Sequence, residues 1–182
     1  MKNKKALFLL TAGIIFVSLG IFLQNRRQII KVQNLNPPPL VLSQDVAKVV
    51  RIIDGDTIDV QINNKMETVR LIGIDSPEIV DPRIPVQCFG SEASNYAKEI
   101  LNNQTVKLEV DPTQGERDKY GRLLRFVFLP DGTNFNKLMI SQGYAHEYTY
   151  KSNPYKYQSE FKNSEKEARE KGLGLWNKCD KI

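Results

Sequence analysis

Three short clusters in this 182-residue chain alternate acids with arginines: Asp54-Gly55-Asp56-Thr57, then Arg70 followed five residues later by Asp75-Ser76-Pro77-Glu78, then Asp118-Lys119-Tyr120-Gly121-Arg122. Such a set suits phosphodiester cleavage, which needs a water made nucleophilic, a cation against the phosphate, and donors for the charge that grows on its oxygens. Asp56 and Asp75 offer the hard oxygen ligands that Ca²⁺ or Mg²⁺ takes, with main-chain carbonyls and water completing the shell. Two carboxylates make a weak site, on the order of 10⁻⁴ to 10⁻³ M, which serves where calcium is plentiful. Glu78 follows Pro77, whose ring fixes one backbone angle and restricts Ser76, so its carboxylate stands on a stiffened loop as the candidate general base. Arg70 and Arg122 can each fork onto a phosphate through two parallel hydrogen bonds, a geometry lysine lacks. Arg70 also lies in an apolar run, Val69, Leu71, Ile72 and Ile74, where a lone cation is costly, so an acid or anion is expected beside it. Asp54 alone reads as turn chemistry, and His146, the only histidine and in another segment, as structural.

These groups are far apart in sequence, so strands must gather them. β-rich runs over residues 47–53 and 57–62 flank Asp54-Gly55, a dipeptide suited to a tight hairpin turn, and Asn63-Asn64 signals a second turn before a third run over residues 67–74. In a three-stranded meander alternate turns lie at opposite ends, so the Asp54–Asp56 turn and the exit of the third strand, Asp75 to Glu78, share one end. Apolar spacing predicts helices over residues 91–101, 135–140 and 158–171 and strands over 105–110 and 123–129. Five strands and three helices suit a small β-barrel of the oligonucleotide-binding kind with helices packed on it, with a split α+β sandwich as the competing layout.

Charge restricts how such a domain can hold a polyanion. Of 26 Lys and Arg, six lie in residues 1–31 with no acid among them, so from residue 32 onward 20 cations face 21 acids. Binding through bulk positive charge is disfavoured, and any phosphate site must use a few well-placed cations.

The basic N-terminus reads as an address. Residues 6–23 carry no charge and follow Met-Lys-Asn-Lys-Lys, the form of a signal peptide or signal anchor. Those 18 positions give about 27 Å of helix, near the hydrocarbon thickness of a bilayer. The only small-x-small cleavage candidate, Ser18-Leu19-Gly20, lies inside the apolar run, which favours an uncleaved anchor with an extracytoplasmic domain; secretion after cleavage is the alternative. Residues 32–45, with Pro37-Pro38-Pro39, form an extended tether, leaving residues 46–182 for the domain. Cys88 and Cys179 fit an oxidising compartment, where they close one long-range disulfide or stay as two buried thiols.

Taken in order and spacing, D-G-D-T, R-L-I-G-I-D-S-P-E and D-K-Y-G-R resemble the staphylococcal nuclease (thermonuclease, micrococcal nuclease) family. The likeness runs from about residue 47 to 176 and includes Tyr148-Thr149-Tyr150 and Gly174-Leu175-Trp176. The resemblance implies a five-stranded oligonucleotide-binding barrel and a Ca²⁺-dependent endonuclease that cuts DNA and RNA with little sequence specificity, leaving 3′-phosphate ends. It further implies Arg70, Glu78 and Arg122 as the catalytic trio, and Asp56, Asp75 and the main-chain carbonyl of Ser76 as calcium ligands. Lys119 and Tyr120 match residues that hold a terminal phosphate, and Tyr148 and Tyr150 match aromatic positions beside the base, where stacking tolerates any sequence. No protein partner is implied and a monomer is expected. Every matched group is present, which argues against a barrel that binds nucleic acid but has lost its active acids.

Overall fold

The computed structural model describes residues 45–179; the apolar segment of residues 6–23 and most of the tether lie outside them. Among the described residues no helix is long and apolar enough to cross a membrane. Along the chain run β1 (Asp45–Ile52), β2 (Thr57–Ile62), β3 (Lys65–Leu71), β4 (Ile74–Asp75), α1 (Gly90–Leu101), β5 (Thr105–Glu109), β6 (Leu123–Phe128), α2 (Phe135–Ser141), β7 (His146–Glu147), α3 (Gln158–Glu170) and α4 (Leu175–Lys178).

The strands close in the order β1-β2-β3-β6-β5, antiparallel except where β6 runs parallel to β3, and β5 returns to β1. Closure decides for the barrel over the α+β sandwich. Alternation explains the filling: Ala47 and Val49, Ile58 and Val60, Val69 and Leu71, Val106 and Leu108, and Leu123 and Val127 are all buried, while Lys48 and Lys107 between them face water. Each such Val, Leu or Ile side chain contributes about 1.5–3 kcal/mol relative to exposure. Arg125 occupies a position in the same β6 row. Its guanidinium is buried against Glu116, whose Oε1 lies 2.5 Å from Nη2. A register shift between Val49 and Arg51 marks a β-bulge in β1, which bends that strand around the barrel.

Helices cover what the barrel leaves open. Helix α1 buries Ala93, Ala97 and Leu101, and α3 buries Phe161 and Ala168. Phe126 meets Tyr157 edge-on with ring centroids 4.8 Å apart, and Tyr155 meets Phe161 at 5.5 Å. Helix α2 is capped by the Asn134 side chain, which accepts from the N–H of Lys137. Fully buried Asn136 accepts from Val127 N–H at 2.9 Å and donates to the Ile72 carbonyl at 2.8 Å, stitching β6 to the chain leaving β3.

Two expectations are corrected. The third strand does not run through to residue 74: it stops at Leu71, Gly73 turns left-handed with φ +80°, and Ile74-Asp75 pair with Glu147-His146 instead. The Tyr155 ring lies where a Cβ at Gly73 would sit, 2.6 Å away, so this break is made by packing as much as by backbone freedom. The first turn is also wider than a two-residue hairpin. Strand β1 ends at Ile52 and β2 starts at Thr57, with the N–H groups of Ile53 and Asp54 both donating to the Thr57 carbonyl. The short helix α4 was not expected; beyond it Cys179 is bonded to Cys88, with Cα atoms 5.8 Å apart.

Candidate active site

The β1–β2 turn starts the site. Asp54 Oδ1 accepts the N–H of Asp56 at 3.0 Å, the local turn bond expected of it, and this aims the Asp56 side chain inward. Asp56 is only 5% exposed. Its Oδ2 accepts the N–H of Ser76 at 2.7 Å, and its Oδ1 accepts from the Thr57 hydroxyl at 3.0 Å and lies 3.2 Å from Arg70 Nε. Gly55 does not have positive φ; it is small because a Cβ there would stand 2.7 Å from Ser76 Cβ. The turn and the exit of the third strand therefore meet at one end, as the meander requires.

Arg70 is the hinge of this meeting. Its Nη2 lies 2.9 Å from Asp75 Oδ1, and its Nη1 donates to the carbonyls of Leu71 and Ile74 at 2.9 and 2.7 Å. The acid expected beside it is present twice, as Asp56 and Asp75, and together they hold the guanidinium at the barrel end. Arg122 arrives from the β5–β6 connection. Its Nε lies 2.7 Å from Asp118 Oδ2, and its Nη1 reaches the Thr57 hydroxyl at 3.4 Å. Thr57 thus links the second arginine to the carboxylate that contacts the first. The roles of Thr57 and Asp118 were not read from sequence, although both stand inside the motifs.

Glu78 follows on the loop after Pro77. Its Oε1 accepts the N–H groups of Ile79, Val80 and Asp81 at 2.8, 2.6 and 3.2 Å, so the carboxylate is held against its own loop. Lys119 and Tyr120 are surface groups: Lys119 Nζ lies 4.8 Å from the Tyr120 ring centroid, and Arg122 flanks the same ring at 5.4 Å. Tyr120 is 71% exposed. Tyr148 and Tyr150 are also exposed, their rings 6.5 Å apart. That loop is fastened at both ends. The N–H of Tyr148 donates to the Gly73 carbonyl at 3.0 Å, while Asp111 Oδ2 accepts the N–H of Lys156 at 2.7 Å. No hydrogen bond among the described residues joins these four outer groups to Asp56, Arg70, Asp75 or Glu78.

His146 is nearer the site than its place in the chain suggested, since it pairs across the β4–β7 ladder with Asp75. Its ring is engaged elsewhere: Nδ1 lies 3.5 Å from Glu165 Oε1, and its edge meets Trp176 at 4.7 Å.

Residues 68–178 match the family described as staphylococcal nuclease homologue. The chain is 41% identical over 135 residues to a thermonuclease of Staphylococcus hyicus, covering 74% of this chain and 78% of that protein. It is 44% identical over 130 residues to a thermonuclease of Staphylococcus intermedius, covering 71% and 75%. It is 40% identical over 138 residues to a micrococcal nuclease of Shigella flexneri, covering 71% and 72%. The chain belongs to the staphylococcal nuclease family.

Nucleases of the staphylococcal family depend on a metal, and the electrostatics of this site suit one. Three carboxylates, Asp54, Asp56 and Asp75, gather around the single guanidinium of Arg70. Burial, and then the neighbouring charge of Asp56, pushes the Asp54 carboxyl up to about 7. Burial likewise raises Asp75, against the pull of Arg70. Asp56 and Asp75 share the one guanidinium of Arg70, so carboxylates outnumber cations in these contacts. A hard divalent cation would relieve that imbalance, with Asp56, Asp75 and the Ser76 carbonyl as donors. Among the described residues no group of three or more His, Cys, Asp or Glu side chains is placed to hold a metal ion by itself. Asp118 goes the other way. Burial opposes its charge, but hydrogen bonds from Arg122 and from the N–H of Tyr120 outweigh that and hold it low.

Proposed function

We propose that this member of the staphylococcal nuclease family is a Ca²⁺-dependent endonuclease that hydrolyses DNA and RNA with little sequence specificity, leaving 3′-phosphate and 5′-hydroxyl ends. The observation that carries the reading is Arg70 bridging Asp56 and Asp75 at the barrel end, beside the threonine that contacts Arg122. In this reading the Glu78 carboxylate takes a proton from water as the water oxygen attacks phosphorus. Arg70 and Arg122 donate to the non-bridging oxygens, where charge grows, and the bond to the 5′ oxygen breaks, that oxygen taking a proton from solvent. Calcium, held by Asp56, Asp75 and the Ser76 carbonyl, would supply further positive charge beside the phosphate. Lys119 and Tyr120 hold a terminal phosphate, and Tyr148 and Tyr150 offer faces for bases of any identity. A leader or anchor over residues 1–31 supports an exported enzyme working where calcium is abundant.

The test is hydrolysis of single-stranded DNA with calcium, with Mg²⁺ and with excess chelator. Calcium alone should support full cleavage, Mg²⁺ little, and chelator none; full activity in chelator rejects the metal assignment. With calcium saturating, Glu78→Gln should lower kcat by about 10²–10⁴ while nucleotide binding survives, since the amide keeps the shape but takes no proton. Arg70→Lys and Arg122→Lys, which lose the two-pronged donor, should each lower kcat by about 10².

A further inference from the structure

Glu78 opens an exposed loop whose Val80, Ile84 and Val86 side chains all face solvent. A general base on such a segment would wander unless something fixed it. The loop is closed at its foot by one residue. Gln87 Oε1 accepts the N–H of Glu78 at 2.8 Å, and the N–H of Gln87 donates to the Glu78 carbonyl at 2.9 Å. Both main-chain polar groups of residue 78 are thus taken by residue 87. Gln87 is itself anchored: its carbonyl accepts the N–H of Gly90 at the start of α1, and its neighbour Cys88 is bonded to Cys179.

We propose that Gln87 is a positioning residue for Glu78, gripping both ends of residue 78 so that the general base is presented in one direction. The inference rests on the reading of Glu78 as that base. With the peptide groups on either side of its Cα held, residue 78 has little freedom at φ and ψ, and its Cα–Cβ bond is aimed. The bonds from Ile79, Val80 and Asp81 to Oε1 then hold the carboxylate on that bearing. A hydrogen bond at an exposed loop adds little to global stability, because water competes for both partners. Orientation is different, since a displacement of about 1 Å at a reacting group costs up to about 10²-fold in rate. Gln87 should therefore matter far more for turnover than for folding.

The experiment compares Gln87→Met, Gln87→Glu and Glu78→Gln in the full chain with calcium saturating, measuring kcat and KM on single-stranded DNA, affinity for a nucleoside bisphosphate, and Tm. Gln87→Met keeps the length of the side chain without the acceptor oxygen and should lower kcat about 10- to 100-fold. Its KM and nucleotide affinity should stay within about twofold and its Tm within about 2 °C, as for a surface substitution. Gln87→Glu restores an acceptor at the same reach and should recover kcat to within about fivefold of the parent. Unchanged kcat in Gln87→Met beside a crippled Glu78→Gln overturns the role of Gln87 and leaves that of Glu78 standing. A loss confined to KM, or one equal in the Met and Glu variants and matched by a fall in Tm, also overturns it. Full kcat in Glu78→Gln would instead remove the base on which the inference rests.

Discussion

Asp54 shows how far a residue's neighbours can change its chemistry. As a turn former it needs only an oxygen for the N–H of Asp56, but it supplies that oxygen inside a buried acidic cluster that lifts its carboxyl to about 7. In the metal-free protein the folded state then keeps this proton to higher pH than the unfolded chain, whose value is 3.8. The stabilising contribution is whole below about pH 4 and is lost as pH rises through about 7. Asp54→Asn keeps the acceptor for Asp56 and removes the titration, so in chelator its Tm relative to the parent should climb between pH 4.5 and pH 8. Melting curves at several pH values decide the matter; a constant difference across that range would show that Asp54 is not strained by its charge. Sequence reading found the acids, the arginines and their shared end, because motif spacing and strand alternation carry that information. It did not find the contact between Arg122 and Thr57, which needs a loop 65 residues away in the chain to fold back onto the first turn, nor the burial of Asp54, which turn chemistry alone does not reveal.

At the scale of elements, the three-stranded meander and the helices were legible from period and turn residues, but the reasons for two glycines were not. Gly73 ends β3 where a Tyr155 ring, contributed 82 residues later, occupies the space a side chain would need. Gly55 looks like a turn glycine and is in fact a point of close approach between the β1–β2 turn and Ser76. Since Ser76 must stay within hydrogen-bond reach of Asp56, Gly55→Ala should do more than strain the turn. An added methyl group of this kind destabilises by about 1–3 kcal/mol, and here it would push Ser76 away from the proposed calcium site. The expected result is a lower Tm together with a higher calcium concentration for half-maximal cleavage. Paired melting and calcium titrations check this, and a variant with the parent's calcium requirement would separate the turn from the metal site.

For the whole molecule, a closed barrel wrapped by helices has the segment just before α1 joined to the end of α4 by the Cys88–Cys179 bridge. The two cysteines were compatible from sequence with a bridge or with two thiols; only folding brings positions 91 residues apart to a Cα separation of 5.8 Å. Closing a loop of about 90 residues should stabilise the fold by roughly 4 kcal/mol in the chain-entropy account, so reductant or a double Cys→Ala variant should lower Tm substantially. Thiol titration of the denatured, unreduced protein should find no free thiol, and two would reject the bridge.

The bridge also divides the chain into a ring and an arm. Residues 88 to 179 form the ring, which includes Lys119 and Arg122, whereas Asp56, Arg70, Asp75 and Glu78 all belong to the arm. A protease that nicks the exposed loop between Lys119 and Tyr120 opens the ring but leaves one covalent molecule, its halves still tied through sulfur. A nick between Arg83 and Ile84, in the loop that carries Glu78, severs the arm outright, and four groups of the proposed site then stay with the rest through packing and strand pairing alone.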